Sequence, residues 1–299
     1  QSGQSYIHAT TGNDDGDSIV AGKFYGAATF GDWNLISENN GGTGYVGLRN
    51  QAGEWQWVAT TGGTGDVNIN AVTPDGQGGV FVGGSVSGTV DFGSQRTYDY
   101  GSYAGEPFVA HLNSTGHWQW VTRATASNGG SEVNDIAMMS DGGIAVTGDF
   151  THYLRWNGVH DIYSTSGSES SAFIARINAS GGPEWWVSLG GPNYNQNGNA
   201  IVVDSLDNIY VTGRCHDNMK YRLREITGTD TGEIEMLFGG NNCQNWNTNM
   251  GEAFVARFSS SGAYQWSEKV HGGNMRWGVD IDFLSNGNLL VMFSGETSY

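Results

Sequence analysis

Five carboxylates could do acid–base chemistry. Asp66, Glu132, Asp135, Asp280 and Asp282 fall on or beside short apolar runs that recur along the chain. Glycoside hydrolysis needs two such acids, one protonated and one ionised. No motif holds any two of them in register, however, and acids near strand ends and turns more often bind water or backbone amides. His8, His111, His117, His152, His160, His216 and His271 are scattered without metal-ligand spacing, so no zinc site is expected. Asn13-Asp14-Asp15-Gly16-Asp17 has the oxygen density of a calcium loop, with Asn13, Asp15 and Asp17 as the candidate ligands. It lacks the spaced ligands and terminal Glu of an EF-hand, and it aligns with a turn at Asp75-Gly76. Apart from that calcium candidate no cofactor is expected. There is no Gly-rich phosphate loop between a strand and a helix, and no Ser/His/Asp or Cys/His arrangement. Asn113-Ser114-Thr115 and Asn178-Ala179-Ser180 match the glycosylation pattern, but in turns where Asn and Ser are wanted anyway.

The elements that must position these residues repeat. Ala253-Phe254-Val255-Ala256-Arg257-Phe258, a serine-rich turn and Tyr264-Gln265-Trp266 have counterparts at Phe173–Ile177 with Pro183–Trp186, Phe108–Leu112 with His117–Trp120, and Tyr45–Arg49 with Glu54–Trp57. Each reads as a two-stranded hairpin, C/D. Before it comes a second hairpin, A/B, turned at Asp/Asn-Gly: Ile69–Thr73 with Val80–Gly84 is one copy and Ala200–Asp204 with Ile209–Gly213 another. Strand B is continuously apolar and runs into Gly, which suits a strand buried on both faces with a backbone close by. Self-similarity at this spacing marks a repeat architecture. The expected fold is all-β: a single β-propeller domain over residues 1–299 of four-stranded antiparallel blades, in units near 6–61, 62–126, 127–192, 193–273 and 274–299. Trp57, Trp120, Trp186 and Trp266 are expected to fill the wedges between blades. Strands A and B occur five times, C and D four times, leaving a half-blade after the four full ones. A five-bladed ring with a short last blade, part of a larger ring, and a half-blade completed by another chain are all open, and such an edge is a candidate assembly site.

Excursions between strands B and C, over residues 25–44, 87–106, 151–171 and 214–252, vary most, and function in repeat folds is usually built on such insertions. Their aromatic residues Trp33, Tyr98, Tyr103, Trp156 and Trp246 are the candidate glycan contacts. The last excursion holds Lys220, Arg222 and Arg224, expected to be salt-bridged and solvated, and the cysteines Cys215 and Cys243. An even pair bracketing an enlarged loop predicts a disulfide and an oxidising compartment.

Thirteen Lys plus Arg against 30 Asp plus Glu, a formal net charge of −17, argue against nucleic acid and anionic lipid as partners. Glycans or another surface polymer remain compatible. No apolar stretch is long enough to span a membrane as a helix. The chain starts at Gln1 without a basic and apolar leader, so a secreted form is expected to have lost its signal segment.

Val203-Asp204-Ser205-Leu206-Asp207-Asn208-Ile209-Tyr210-Val211-Thr212-Gly213 and Gly251-Glu252-Ala253-Phe254-Val255-Ala256-Arg257 resemble the bacterial β-propeller repeat family known as SBBP. That pattern has an apolar strand, Asp-x-x-Gly-Asn, Ile/Val-Tyr-Val-Thr-Gly, a Phe-Gly step, and Asp/Glu-Ala-Phe-Val-Ala-Lys. Asp207 stands where the family has Gly, Tyr45-Val46-Gly47 departs from the Phe-Val-Ala strand, and the Phe-Gly step is missing near Leu154-Arg155-Trp156. The resemblance implies a propeller fold and secreted or cell-surface proteins, without a shared catalytic motif. Two functions follow as expectations: a non-enzymatic binding or assembly module (an adhesin, matrix or filament subunit), and, as the alternative, a glycan hydrolase using the strand-A carboxylates.

Overall fold

Side-chain oxygens close the turns and thereby set strand lengths. At the A/B turns Asp75 Oδ1 accepts the Gln77 and Gly79 amides, and Asp204 Oδ1 accepts those of Leu206 and Asn208. At the C/D turns Asn113 Oδ1 takes the amides of Thr115 and His117, and Asn178 Oδ1 those of Ser180 and Gly182. An acceptor that binds two turn amides fixes the loop, and with it the register of the flanking strands. The computed structural model describes residues 3–37, 42–98, 105–126, 130–156, 158–164, 169–191, 195–216, 219–227, 230–236, 243, 251–270 and 276–295.

The first repeat contains β1 (Gln4–Gly12), β2 (Ser18–Tyr25), β3 (Ala27–Phe30), β4 (Trp33–Ile36), β5 (Thr43–Arg49) and β6 (Trp55–Thr60), followed by the short β7 (Gly62–Gly63). The second contains β8 (Asp66–Pro74), β9 (Val80–Ser87), β10 (Thr89–Phe92), β11 (Gln95–Tyr98), β12 (Glu106–Leu112) and β13 (Trp118–Ala126). The third contains β14 (Glu132–Met138), β15 (Ile144–Thr151), β16 (Tyr153–Trp156), β17 (Val159–Tyr163), β18 (Ser170–Ile177) and β19 (Pro183–Gly190). The fourth contains β20 (Asn197–Val203), β21 (Ile209–Cys215), β22 (Lys220–Glu225), β23 (Ile234–Glu235), β24 (Glu252–Phe258) and β25 (Tyr264–Val270). A last hairpin is β26 (Arg276–Phe283) and β27 (Leu289–Gly295).

All pairings described are antiparallel, and no helix occurs among the described residues. Strands A, B, C and D lie side by side in chain order: β1-β2-β5-β6, β8-β9-β12-β13, β14-β15-β18-β19 and β20-β21-β24-β25. The chain forms two compact units, residues 1–124 with 130–133, and residues 125–129 with 134–299. In the first, Ile19, Ala21, Val46 and Trp57 of one sheet bury Val67 and Ile69 of the next. In the second, Ile174, Val187 and Leu189 pack with Ile201, Val211 and Phe254, and Ala200 and Val255 pack with Ile281 of the last hairpin.

The B/C excursions, read from sequence as loops, are small hairpins: β3/β4, β10/β11, β16/β17 and β22/β23. In the second unit β22 extends the preceding sheet, pairing with β19 from Trp185↔Glu225 to Gly190↔Lys220. In the first, β10 pairs with β7 just beyond the preceding D strand. In the second unit the fourth excursion thus holds on to the D strand behind it.

One tryptophan assignment shifts by a residue. Strand pairing sets Trp120 opposite His111, Trp185 opposite Arg176 and Trp266 opposite Arg257, so the counterpart is Trp185, whereas Trp186 faces Ala175. A one-residue slip turns a side chain to the other face. The adjacent tryptophans Trp185 and Trp186 make that slip easy to commit from sequence. Trp57 and Trp185 lie against the C/D turn of the following sheet, at Gly116 and Gly262, where an added Cβ would strike the indole.

Candidate functional site

The strand-A positions that carry the candidate acids are built around a bulge. Each A strand with a described register slips by one residue at the same place: between Ile7 and Ala9, Ile69 and Ala71, Gly198 and Ala200, and Gly278 and Asp280. A bulge bends the strand and leaves one residue unpaired. The B strand crosses it with glycine: a Cβ at Gly22, Gly84 or Gly213 would run into the carbonyl oxygen of Tyr6, Asn68 or Asn197. The freed residue is asparagine in two copies, Asn70 and Asn199, and Asn134 stands at the same repeat position. Asn70 Nδ2 donates to Val133 O at 3.1 Å, Asn134 Nδ2 to Gly198 O at 2.9 Å and Asn199 Nδ2 to Gly278 O at 2.7 Å. Each amide therefore ties its A strand to the next one along, a role the sequence reading missed. The signal was there, since Asn70, Asn134 and Asn199 recur at one repeat position.

Most of the candidate acids are occupied by this framework. Asp66 is ion-paired with Lys23, a buried lysine whose Nζ also reaches Asn68 Oδ1 at 3.2 Å. Glu132 Oε2 accepts from Asn70 Nδ2 at 2.8 Å. Asp135 accepts the Ile136 amide on Oδ1 and the Ile201 amide of the neighbouring A strand on Oδ2, both at 2.8 Å. Burial pushes the Asp135 carboxyl up to about 7; the two amides pull it down in part, and the charge of Asp280 raises it further. Asp280 and Asp282 are exposed, each accepting the next residue's amide, Ile281 at 2.9 Å and Phe283 at 2.7 Å. A carboxyl near 7 beside a second carboxylate has the proton affinity of a general acid. Asp135, however, turns both oxygens to backbone amides.

At the A/B turns, acids receive bases from strand C. His111 Nε2 lies 2.8 Å from Asp75 Oδ2 with its ring stacked on Phe81. Arg176 is paired with Asp141 and, at 2.6 Å, with Glu184; Arg257 lies 3.8 Å from Asp204. Asp207, which replaces the expected Gly, has φ 60°, a left-handed backbone that disfavours a side chain. Its carboxylate offsets that cost by accepting the Ser140 amide at 2.8 Å and hydroxyl at 2.6 Å.

The calcium candidates form a turn. Asn13 Oδ1 accepts the Asp17 amide at 2.8 Å, and the Asp15 carbonyl takes Gln51 Nε2 at 2.6 Å. A groove of about 240 Å³ lies beside them, lined in part by Asp14, Asp15 and Gln77. Among the described residues no group of three or more His, Cys, Asp or Glu is placed to hold a metal ion.

Of the candidate glycan contacts, Trp156 is corrected: it is wholly buried, its ring edge-on to Phe173, and offers no surface to a ligand. Pairing of β16 with β17 turns it into the core, which a reading of the excursion as a loop could not foresee. Trp33 is half-buried against Phe30 and Tyr45, and Tyr98 pairs with Thr89 at the end of β11. Tyr103 and Trp246 lie outside the described residues.

The fourth excursion is held by charge and by sulfur. Lys220 pairs with Glu233 at 3.0 Å, Arg222 and Arg224 with Asp230 at 2.6 and 3.1 Å. Hydrogen bonds from Arg222 hold the Asp230 carboxyl well below the usual carboxylate range. Cys215 and Cys243 form a disulfide, both cysteines buried with Met219 and Met236.

Residues 185–216 match the family model of the SBBP β-propeller repeat. The match runs from strand D of the third repeat through strands A and B of the fourth. No curated protein matches the chain. A crystal structure of a protein of unknown function from Bacteroides caccae is similar over 89% of this chain and 81% of that one, at 14% identity and a TM-score of 0.36. That likeness is too distant to carry a functional argument. No helix among the described residues is long and apolar enough to cross a membrane.

The repeat's last A/B hairpin differs from the others. Ile281, Leu289 and Val291 pack onto the fourth sheet, whereas Leu290, Met292 and Phe293 are 46%, 51% and 38% exposed. Trp266 of β25 is 37% exposed, against 5% for its counterpart Trp185. Among the described residues no strand is paired with the outward edge of β27.

Proposed function

We propose that this protein is a secreted or cell-surface, non-enzymatic binding and assembly module. It is a single β-propeller domain of four full blades and a further half-blade. The observation that carries this reading is the set of exposed apolar side chains on β27, Leu290, Met292 and Phe293, on a chain whose formal net charge is −17. Exposed contiguous apolar surface marks an interaction site. Structural use of Asp66, Glu132 and Asp135 supports the non-enzymatic part. The disulfide suits an oxidising compartment. Partners are a glycan or other surface polymer, approached through the excursions at Trp33, Tyr98, Tyr103 and Trp246, and further protein strands at β27. A glycan array together with the mass in solution tests it: a binder or an assembled species supports the module, and a monomer that binds no glycan contradicts it.

A second reading, a glycan hydrolase, draws on the Asp135 carboxyl near 7 with Asp280 close enough to raise it. A preparation that cleaves polysaccharide, and loses that activity in the Asp135→Asn/Asp280→Asn double variant, would establish it; unchanged activity in that variant removes this pair.

A further inference from the structure

One pair of positions on strands C and D alternates along the chain. It consists of the residue two before the strand-C aromatic and the strand-D residue opposite that aromatic. The second repeat holds Glu106 and Arg123 there, beside Phe108, and the fourth holds Glu252 and Lys269, beside Phe254. Both are ion pairs set largely out of solvent, the second at 3.1 Å. The first and third repeats carry hydroxyls at the same places: Thr43 and Thr60 beside Tyr45, Ser171 and Ser188 beside Phe173. In both, a serine of the excursion meets the strand-C hydroxyl. Thr43 Oγ1 donates to Ser37 Oγ at 2.9 Å, and Ser164 and Ser171 share a hydrogen bond of the same length.

A long acid and a long base occupy volume that two small hydroxyls cannot. In the third repeat the position is closed, since Ser171 and Ser188 are buried. In the first, Thr60 is only half-buried and a cavity of about 220 Å³ opens beside it. Its lining combines the hydroxyl side chains of Thr43, Thr60 and Thr61 with the apolar Phe24, Leu35 and Ile36. No charged side chain lines it among the described residues. Phe24 pairs directly with Thr43, on the sheet face that also carries Thr60. Ile36 is 75% exposed, which leaves part of the lining within reach of a solute.

We propose that this cavity is a subsite for one neutral sugar ring. It rests on the glycan-binding reading and names a site for it. The Thr43 hydroxyl gives its proton to Ser37 and Thr61 Oγ1 accepts the Gly44 amide at 3.0 Å, so Thr43 is left to accept from a ligand that brings its own O–H. A sugar ring supplies such hydroxyls on its edge and C–H groups on its faces, which suit Phe24, Leu35 and Ile36. A carboxylate or phosphate would enter a lining without a counter-charge, on a chain that already carries −17. A purely apolar ligand would cover the hydroxyls without bonding them. The volume lies below the roughly 300–1,000 Å³ of sites for drug-sized ligands, so it takes one ring of a glycan rather than several.

Isothermal titration of the whole chain with free neutral hexoses, 6-deoxyhexoses and N-acetylhexosamines, beside the corresponding uronic acids, tests this. The decisive variant is Thr43→Glu/Thr60→Arg, which installs the pair that the second repeat already holds. Its melting curve shows whether it folds, and Thr60→Val, which keeps the shape and removes one hydroxyl, decides the matter if it does not. The expected result is a wild type that binds a neutral sugar, one per chain, with its uronic acid about tenfold weaker. Thr60→Val should bind about fivefold more weakly than wild type, and the folded double variant not at all. A wild type that binds none of these sugars overturns the inference. Binding that survives in the folded double variant, or is unchanged by Thr60→Val, does the same. A glycan array of wild type and double variant separates this failure from that of the broader reading. If both bind the same glycans, the glycan reading stands and its site lies elsewhere; if the wild type binds none, the glycan reading itself fails.

Discussion

The fourth sheet and the hairpin beside it are made from the same A/B pattern and end differently. Strand β21 is paired along seven residues with β24, from Ile209↔Phe258 to Cys215↔Glu252, and its last residue is bonded through sulfur to Cys243. Strand β27 has the same apolar character and neither feature among the described residues. The comparison teaches that the apolar run makes the strand but does not decide what lies along its edge. The two copies differ at three other positions: Gly213 against Phe293 beside the bulge, Asp204 against Leu284 at the turn, and Cys215 against Gly295 at the strand's end.

Removing the sulfur from the fourth sheet should have the largest effect. Closing a loop of 28 residues' separation is worth about 3.5 kcal/mol by chain entropy. Cys215→Ala/Cys243→Ala should lower the denaturant midpoint of the second unit accordingly, and bring amide protection in β21 closer to that in β27. Next comes Gly213→Ala, whose Cβ would strike Asn197 O, with an expected cost of about 2 kcal/mol. The reciprocal Phe293→Gly should change stability by less than about 1 kcal/mol, since Phe293 is partly exposed. Denaturant titration checks the pair.

The pH dependence separates Asp135 from Asp230 by sign. The folded pKa of Asp135 is raised to about 7, so the folded state holds a proton that the unfolded chain releases near pH 4. Stability from this group therefore falls as pH rises from about 4 to about 7. Asp135→Asn should flatten that slope. Asp230, depressed by Arg222, contributes in the opposite sense: its stabilisation is present above the unfolded pKa and is lost as pH falls toward the folded one. Asp230→Asn should leave the slope between 4 and 7 in place and blunt only the acid limb of the melting profile.

What could be read from the residues depended on period. The C/D hairpins, the Asp/Asn turns and the disulfide were legible, because apolar runs of ordinary strand length, turn chemistry and paired cysteines each leave a local mark. The bulges were not, since one inserted residue at His8, Asn70, Asn199 or Val279 breaks the alternation without changing composition. The excursion hairpins escaped for a related reason: β3, Ala-Ala-Thr-Phe, and β16, Tyr-Leu-Arg-Trp, are too short to show a period. Trp156 was therefore assigned to a binding surface although it is core. Phe293 looked like one more apolar residue in strand B, and only the register shows that it stands where glycine does in four other copies.

Hydrogen exchange of the β27 amides as a function of protein concentration tests the central claim most directly. The account predicts that protection of residues 289–295 rises with concentration, and rises further with salt, while protection of residues 209–215 in β21 stays constant. Protection of β27 that does not change with concentration would contradict it.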